Sequence, residues 1–306
     1  MKAKAKSNVL LLITALIWGC AFVAQRQGME YVGPFTFNTC RSVLAFLSLL
    51  IVIAVRRRLP APAGKKSPRR YGRRPLLIGG ILCGIALFIS TGLQQYGLIT
   101  VEAGKAGFIT ALYIVLVPIL GSFAGRKVRP LIWICVGIAV LGLWLLTVQN
   151  NDGGFSIGSG DIILLVCSFF FAVQILLVDR FSPFTDGIEL SFVQFTTCAV
   201  LSGICMLIFE DPHPDAILAI AVPLLYAGIL SSSVAYTLQI IAQKNADPTV
   251  ASLLMSLESV FSVLAGWLIL GEQLTPKELT GCAIMFVAII LSQLPQKKDG
   301  GKQLIG

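Results

Sequence analysis

The chain has 306 residues, of which 56% are hydrophobic and only 13% are charged, and its mean hydropathy is +0.85. A soluble domain is about 45–50% apolar and about 25% charged, so the composition argues against a soluble protein and for a lipid environment. The formal net charge is +9, but the basic residues lie in short runs between apolar stretches and form no groove or helix face. Nucleic acid is therefore excluded as a partner.

Ten apolar stretches follow one another along the chain, each close to the length of about 20 residues that a membrane-spanning helix needs. Their predicted ranges are 8–25, 34–55, 75–95, 103–124, 130–148, 160–178, 188–209, 216–242, 248–270 and 276–294. The first is interpreted as a span and not as a signal peptide, because no small-x-small cleavage site follows it. The sequence thus predicts an all-α membrane protein of ten transmembrane helices.

The positive charges orient these helices. When the N-terminus is placed inside, only Arg26, Lys105 and Lys277 of the 24 Lys and Arg residues fall on the outer side, and Arg41 falls within a span. Cytoplasmic segments carry the excess of Lys and Arg in membrane proteins. We therefore predict a multi-pass protein of the cytoplasmic membrane with both termini in the cytoplasm.

The two halves of the chain resemble each other. Matches that keep one order along both halves are Gly125-x4-Pro130 with Gly271-x4-Pro276, Gly80-Ile81-Leu82 with Gly228-Ile229-Leu230, and Phe37-x-Thr39-Cys40 with Phe195-x-Thr197-Cys198. They predict a duplication, with residues 1–150 as the first five-helix repeat, 151–296 as the second and 297–306 as a cytoplasmic tail. Because five is an odd number, the second repeat enters the membrane from the opposite side, as in many transporters built from inverted repeats.

The chain resembles the EamA-type family of the drug/metabolite transporter superfamily. The residues that carry the resemblance are Trp18-Gly19, Pro34, Arg41, Gly228-Ile229-Leu230, Asp247-Pro248, Glu258, Leu270-Gly271-Glu272-Gln273-Leu274-Thr275-Pro276 and Gly281. The resemblance implies ten helices, alternating access and transport of small metabolites, often as efflux of amino acids or related compounds. One position departs from the family: Ser259 follows Glu258 where proline is common, so we expect a straighter ninth helix. Pro118, in contrast, is expected to bend the fourth helix.

Two ionisable side chains lie well inside predicted spans. Glu258 is near the middle of the ninth span and Arg41 is in the outer half of the second. A charge at a helix centre costs about 2.5–3.5 kcal/mol on insertion scales, so each needs a reason. Either they line a central cavity and meet the charged ends of a zwitterionic substrate, or they are satisfied structurally, by a neighbouring helix or by each other.

Neutral polar and aromatic side chains add further candidates. A glutamine in lipid must find a partner, so the glutamines of the spans are expected to face the bundle interior. Tyr236, Gln239 and Gln243 share one helical face, which suits either a cavity wall or a helix contact. Trp18 suits either a stacked ligand or an interfacial anchor. The full candidate substrate site is Glu258, Arg41, Trp18, Gln95, Tyr113, Gln174, Tyr236, Gln239 and Gln243.

An intramembrane enzyme is the alternative from a different class. It would need a nucleophile with a base or a metal cluster, yet the one histidine, His213, lies in a predicted external loop and no HExxH, GxSxG or Walker motif occurs. No catalytic residue, metal or cofactor is therefore predicted. The expected partners are the bilayer and a small molecule, most simply an amino acid or similar zwitterion that is exported. Nucleosides, quaternary amines and organic phosphates stay open as substrates, and a monomer or a homodimer stays open as the assembly.

Overall fold

The computed structural model describes residues 2–58, 72–101, 103–147, 158–270 and 276–292, and every regular element in these ranges is a helix. The α-helices are α1 (Lys2–Gly28), α2 (Pro34–Arg58), α3 (Arg73–Thr100), α4 (Ala103–Ala111), α5 (Tyr113–Phe123), α6 (Pro130–Thr147), α7 (Ser159–Phe181), α8 (Gly187–Phe209), α9 (Pro214–Ala219), α10 (Ala221–Leu225), α11 (Tyr236–Gln243), α12 (Pro248–Met255), α13 (Glu258–Leu270) and α14 (Pro276–Ser292). A 3-10 turn, Ser182–Phe184, follows α7, and a π-helical segment, Tyr226–Ala235, joins α10 to α11.

Eight helical stretches are long and apolar enough to cross a membrane. They are Lys4–Gly28, Pro34–Arg58, Arg73–Thr100, Lys105–Phe123, Ser159–Phe184, Gly187–Phe209, Ala221–Gln243 and Pro248–Ile269. Two shorter apolar helices, Pro130–Leu145 and Leu279–Ser292, occupy the positions of the predicted fifth and tenth spans. The all-helical membrane architecture is confirmed for the described residues, and the number ten stays a prediction.

Helix starts follow from local chemistry. Proline is the first residue of α2, α6, α9, α12 and α14, a position where its missing N–H costs nothing. Asp247 caps α12, because its carboxylate accepts hydrogen bonds from the Thr249 and Val250 amides at 2.9 and 3.4 Å. Glu210, which follows α8, accepts the Phe35 and Thr36 amides at 2.8 and 2.7 Å and so caps α2 from a neighbouring helix.

The helices bury many polar side chains among the apolar residues of the core and expose large apolar side chains on the outside. Gln94, Gln174, Gln194 and every other glutamine predicted to face the interior are buried, which confirms that expectation. Large apolar residues such as Leu207 are exposed instead. In water such a surface would drive association, whereas in a bilayer it is the face that meets lipid.

Glycines set two of the helix contacts. A Cβ on Gly80 would lie 2.4 Å from Cγ1 of Val193, and one on Gly84 would lie 2.7 Å from the Gln194 carbonyl oxygen, so α3 and α8 touch through their backbones. Gly121 and Gly125, which have the same spacing, do not do this. A Cβ on Gly121 would meet only the Arg126 side chain, and Gly125 has a φ of +80° in the turn after α5. The same glycine spacing therefore does not produce a close helix approach in the second case.

Candidate functional site

One narrow cavity, with a volume of about 30 Å³, lies among the central helices. It is lined by Trp18, Phe22, Gln25, Arg41, Gln94, Thr110, Tyr113, Phe171, Gln174, Ile175, Ser231, Tyr236, Gln239 and Glu258. These residues come from both halves of the chain. Every residue of the candidate substrate site is therefore at this cavity except Gln95 and Gln243.

Arg41 forms the cationic part of the cavity. The side chain is on α2 and only 4% exposed, and its Nη1 donates to Oε1 of Gln25 on α1 at 3.0 Å. The Nε–H has no hydrogen-bond partner among the described residues. No carboxylate in the described part of the chain lies within 4 Å of it. The guanidinium thus keeps unused donor capacity beside the cavity.

Glu258 forms the anionic part. The side chain is 5% exposed, and its Oε1 accepts a hydrogen bond of 3.0 Å from the Tyr113 hydroxyl. Within the described ranges no basic side chain lies within 4 Å of it, so Arg41 and Glu258 do not neutralise each other. Each buried charge has a neutral partner, and both line the same cavity.

Both residues of the Glu258–Tyr113 pair stand where a spanning helix is interrupted. Tyr113 is the first residue of α5, after the break at Leu112, and Glu258 is the first residue of α13, after the break at Ser256 and Leu257. The interruptions of the fourth and ninth spans thus meet at the hydrogen bond between Tyr113 and Glu258.

The ninth helix is therefore not straighter for lack of a proline, and that expectation is wrong. Near the interruption, Ser252 and Ser256 each donate to the carbonyl three residues earlier, at 2.8 and 2.9 Å. Such bonds compete with the helix ladder. At the break, the Leu257 and Ser259 amides bond to carbonyls only three residues back. In the fourth helix the interruption at Leu112 precedes Pro118 and agrees with the expected bend.

Aromatic rings close one side of the cavity. Trp18 and Tyr236 have ring centroids 4.6 Å apart, and the Trp18 Nε1–H donates to the Ser231 carbonyl at 3.2 Å. Ser231 belongs to the π-helical segment, whose wider turns are frequent at functional sites. Trp18 is thus held inside the bundle and is not an interfacial anchor. Trp267, in contrast, is 47% exposed.

A chain of glutamine amides forms another wall. Gln239 on α11 donates to Gln174 on α7 at 3.2 Å, and Gln174 donates to Gln194 on α8 at 3.3 Å. Gln243 lies one turn further along α11 and donates to the Ile175 carbonyl at 3.1 Å. The polar strip of the eighth span therefore divides: Tyr236 and Gln239 line the cavity, and Gln243 makes a helix contact.

Gln95 is also buried away from the cavity, where its Nε2 donates to Sδ of Met29 at 3.4 Å. Sequence reasoning missed several lining residues. Gln25 and Gln94 could have been predicted as lining residues, because an amide within an apolar span is a usable signal. Phe171 and Ile175 carried none, because an apolar side chain in an apolar helix can face any direction at no energetic cost.

Comparison with known proteins gives the cavity its context. The sequence model of the EamA-like transporter family matches residues 5–148 and again residues 158–294. The chain belongs to the EamA-like transporter family. Because several of its apolar helices are long enough to cross a membrane, this member of the family is a multi-pass membrane protein.

Its relatives are named as transporters rather than enzymes. An uncharacterised transporter of Archaeoglobus fulgidus is 29% identical over 93% of this chain and 84% of its own. A chloroplastic WAT1-related protein of Arabidopsis thaliana is 27% identical over 95% of this chain and 70% of its own. The threonine/homoserine exporter RhtA of Escherichia coli K12 is 28% identical over 74% of this chain and 73% of its own.

A solved crystal structure shares the fold. It covers 94% of this chain and 96% of its own with a TM-score of 0.73, at 18% sequence identity. Among the described residues no group of His, Cys, Asp and Glu side chains is placed to hold a metal ion. The residues that line the described cavity thus offer one arginine, one glutamate, amides, hydroxyls and aromatic rings.

Proposed function

We propose that this protein is a secondary transporter that moves amino acids or similar zwitterions across the cytoplasmic membrane by alternating access. The observation that carries the proposal is the pair of buried opposite charges, Arg41 and Glu258, on one cavity with neutral partners only. Charges retained inside a membrane protein are costly unless they have a use. A ligand with a carboxylate and an ammonium group supplies the missing partner of each.

The assignment of the two ends follows from hydrogen-bond capacity. Arg41 offers donors only, and its unpartnered Nε–H suits a carboxylate. Glu258 accepts one bond from Tyr113 and has lone pairs left for an ammonium group. The name of RhtA, a threonine/homoserine exporter, supports amino acids as the substrate class and export as the direction.

The two-repeat organisation of residues 1–150 and 151–296, with a cytoplasmic tail at 297–306, is part of the proposal. The family model matches the chain twice, in these two regions. The packing supports it as well, because contacts occur in exchanged pairs: α2 meets the π-helical segment and α3 meets α8, while α1 meets α13 and α7 meets α4. A two-fold axis that relates the repeats exchanges the members of such pairs.

The contacts of two glycines are consistent with the same exchange of helix pairs between the repeats. Gly80 on α3 abuts Val193 of α8, and its sequence counterpart Gly228 abuts Leu44 of α2, where a Cβ would lie 2.6 Å from the Leu44 Cβ. Both interrupted helices, the fourth and the ninth, also occupy equivalent places in the two repeats. Interrupted helices in corresponding positions, with the site between them, are typical of inverted-repeat transporters.

Organic phosphates are the less favoured substrates. Arg41 is the only basic residue among those that line the described cavity, and a phosphate dianion is usually bound by several donors or charges. Quaternary amines fit Glu258 and the aromatic rings but leave Arg41 without a function. Nucleosides would use the amides and rings and leave both charges unused.

Charge removal at constant shape tests the proposal. We expect Glu258→Gln and Arg41→Gln to lower the affinity for a transported amino acid by at least tenfold each, measured by thermal shift of the purified protein and by uptake into liposomes. Arg57→Gln is the matched control, because Arg57 forms only a long, exposed ion pair with Glu189 at 3.9 Å. Unchanged affinity in both cavity variants would make the charges structural. Recovery in the double variant would show that they act on each other.

A further inference from the structure

The glutamine wall of the cavity has an unused hydrogen-bonding atom. Three primary amides, those of Gln239, Gln174 and Gln194, are joined by two hydrogen bonds and are at most 1% exposed. The carbonyl oxygen of Gln239 at one end and the amide nitrogen of Gln194 at the other have no partner among the described residues. Only the Gln239 end lines the cavity.

A buried amide oxygen without a partner is uncommon in a folded protein and unfavourable. It becomes favourable if a ligand supplies the donor. Arg41 and Glu258 already serve the two charges of a zwitterion in the proposed function, on which this inference rests. Gln239 is on α11, three residues beyond Tyr236, and lines the same cavity as Arg41 and Glu258. It is thus a third point on the cavity wall.

We propose that the Gln239–Gln174–Gln194 chain binds the end of the substrate side chain and selects a neutral group that both donates and accepts a hydrogen bond. Hydroxyl and primary amide groups have this property. The substrate class is then α-amino acids with a short hydroxyl- or carboxamide-bearing side chain. Apolar side chains of the same size leave the Gln239 amide unpaired in either direction of the chain.

The chain has two equivalent directions of hydrogen bonding. If all three amides turn over about their last bond, both internal hydrogen bonds are kept, and Gln239 presents an N–H donor instead of an oxygen. A hydroxyl or primary amide pairs with either direction, whereas a group that only donates or only accepts pairs with one. Sites built to pair a substrate hydroxyl reject the analogue that lacks it far more strongly than apolar pockets reject an added methyl group.

Isosteric amino acids test the inference on the unsubstituted protein. Threonine and valine differ by a hydroxyl against a methyl group, and asparagine and leucine differ by an amide against two methyl groups. We expect threonine and asparagine to bind at least tenfold more tightly than valine and leucine, measured by thermal shift and by competition for uptake into liposomes. Equal affinity within both pairs would overturn the inference.

Two variants test which residue causes the preference for threonine over valine. Gln239→Met is expected to reduce threonine affinity to that of valine while valine affinity changes less than threefold. Gln243→Met is the matched control, because Gln243 is a buried glutamine on the same helix that does not line the cavity; the preference for threonine is expected to persist there. If Gln239→Met keeps the full preference, Gln239 is not the subsite. If Gln239→Met does not fold, the same measurements are made on Gln239→Asn, whose shorter amide is expected to weaken the preference.

The measurements distinguish failure of the zwitterion site from failure of the side-chain subsite. If valine and threonine bind equally well and both depend on Arg41 and Glu258, the zwitterion site stands and the side-chain subsite falls. If no amino acid in either pair raises the unfolding temperature or is taken up, both fall together.

Discussion

Gly19 is the residue at which α1 comes closest to the helix that carries Glu258. A Cβ on Gly19 would lie 2.5 Å from the Cβ of Phe261 and 2.7 Å from the carbonyl oxygen of Glu258. Neither atom can turn aside, because both belong to or sit directly on the α13 backbone. Gly19→Ala is therefore expected to push α13 outwards, to cost about 1–3 kcal/mol of stability, and to weaken binding at Glu258. Thermal unfolding and liposome uptake measure the two effects.

Gly137 provides the comparison. It is an exposed glycine of α6, and a Cβ there would meet nothing within 4 Å. Gly137→Ala is expected to be neutral or to stabilise by up to about 1 kcal/mol, since alanine is the better helix former. If Gly19→Ala behaves like Gly137→Ala in both measurements, close contact between α1 and α13 does not position Glu258.

At the scale of single residues, the candidate site was predictable because a charged or polar side chain within an apolar span is energetically unfavourable. A charge or an amide in an apolar span must be satisfied, so Arg41, Glu258 and Gln174 stand out in the sequence. The same argument fails for Gln95 and Gln243, which are equally costly but whose amide nitrogens donate at helix contacts away from the cavity. Which polar group faces a cavity depends on the rotation of its helix, and that is decided by packing against other helices.

At the scale of helices, the interruption of the ninth span shows a limit of pattern reasoning. A proline in the sequence predicts a helix break, because proline lacks an N–H and crowds the preceding turn. The serines at 252 and 256 donate to local carbonyls near the interruption, yet Ser90 and Ser168 make the same kind of bond within unbroken helices. The Ser259 hydroxyl, which donates to the Gly107 carbonyl at 3.1 Å, adds a tertiary contact that sequence cannot reveal.

Helix α7 is tied to the fourth span near both of its ends. Near its start, Asp161 pairs with Lys105 at 2.8 Å, and near its end Asp179 pairs with Arg126. The Arg126 side chain is 40% exposed and that of Asp179 is 14% exposed. Partly exposed pairs contribute little, so we expect a coupling energy of about 0.2–1 kcal/mol between them.

A double-mutant cycle measures this coupling. Arg126→Gln and Asp179→Asn are each expected to lower the unfolding temperature slightly, and the double variant is expected to lose less than the sum. The same cycle on Arg57 and Glu189, which are 3.9 Å apart and more exposed, serves as the control and should show no coupling. A strictly additive result for Arg126 and Asp179 would mean that the ion pair does not hold α7 to the fourth span.

At the scale of the whole molecule, composition predicted the class of the fold, because the exposed surface of the described residues is rich in large apolar side chains. Val222, Leu207 and Leu268 are 77%, 75% and 71% exposed. The count of spans is harder to predict, since two of the apolar helices have 10–17 residues, less than the about 20 that cross a hydrocarbon core of about 30 Å. In the fold α6 and α14 pack against each other, and a Cβ on Gly142 would lie 2.9 Å from the Gly281 carbonyl oxygen.

Whether α6 and α14 both cross the bilayer decides the topology, and this gives the last prediction. If both cross, the chain has five spans per repeat, residue 149 is outside, and both termini are in the cytoplasm. If neither crosses, the chain has eight spans, the termini still share one side, and residue 149 lies on that same side. Reporters at the two ends alone therefore cannot separate the alternatives, and a reporter at Gln149 is the decisive one.

We expect a reporter inserted at Gln149 to be active only on the outer side, and reporters at the N- and C-termini to be active only in the cytoplasm. The physical reason is charge: of the 24 Lys and Arg residues, only Arg26, Lys105 and Lys277 would lie outside in the ten-span arrangement. A reporter inserted after Asp211, between α8 and α9, is the control, because α7 and α8 are two crossings and place it on the same side as Gln149 in either arrangement. Cytoplasmic signals at both Gln149 and Asp211 would contradict both the fifth span and the inverted repeat, since the halves would then enter the membrane from the same side.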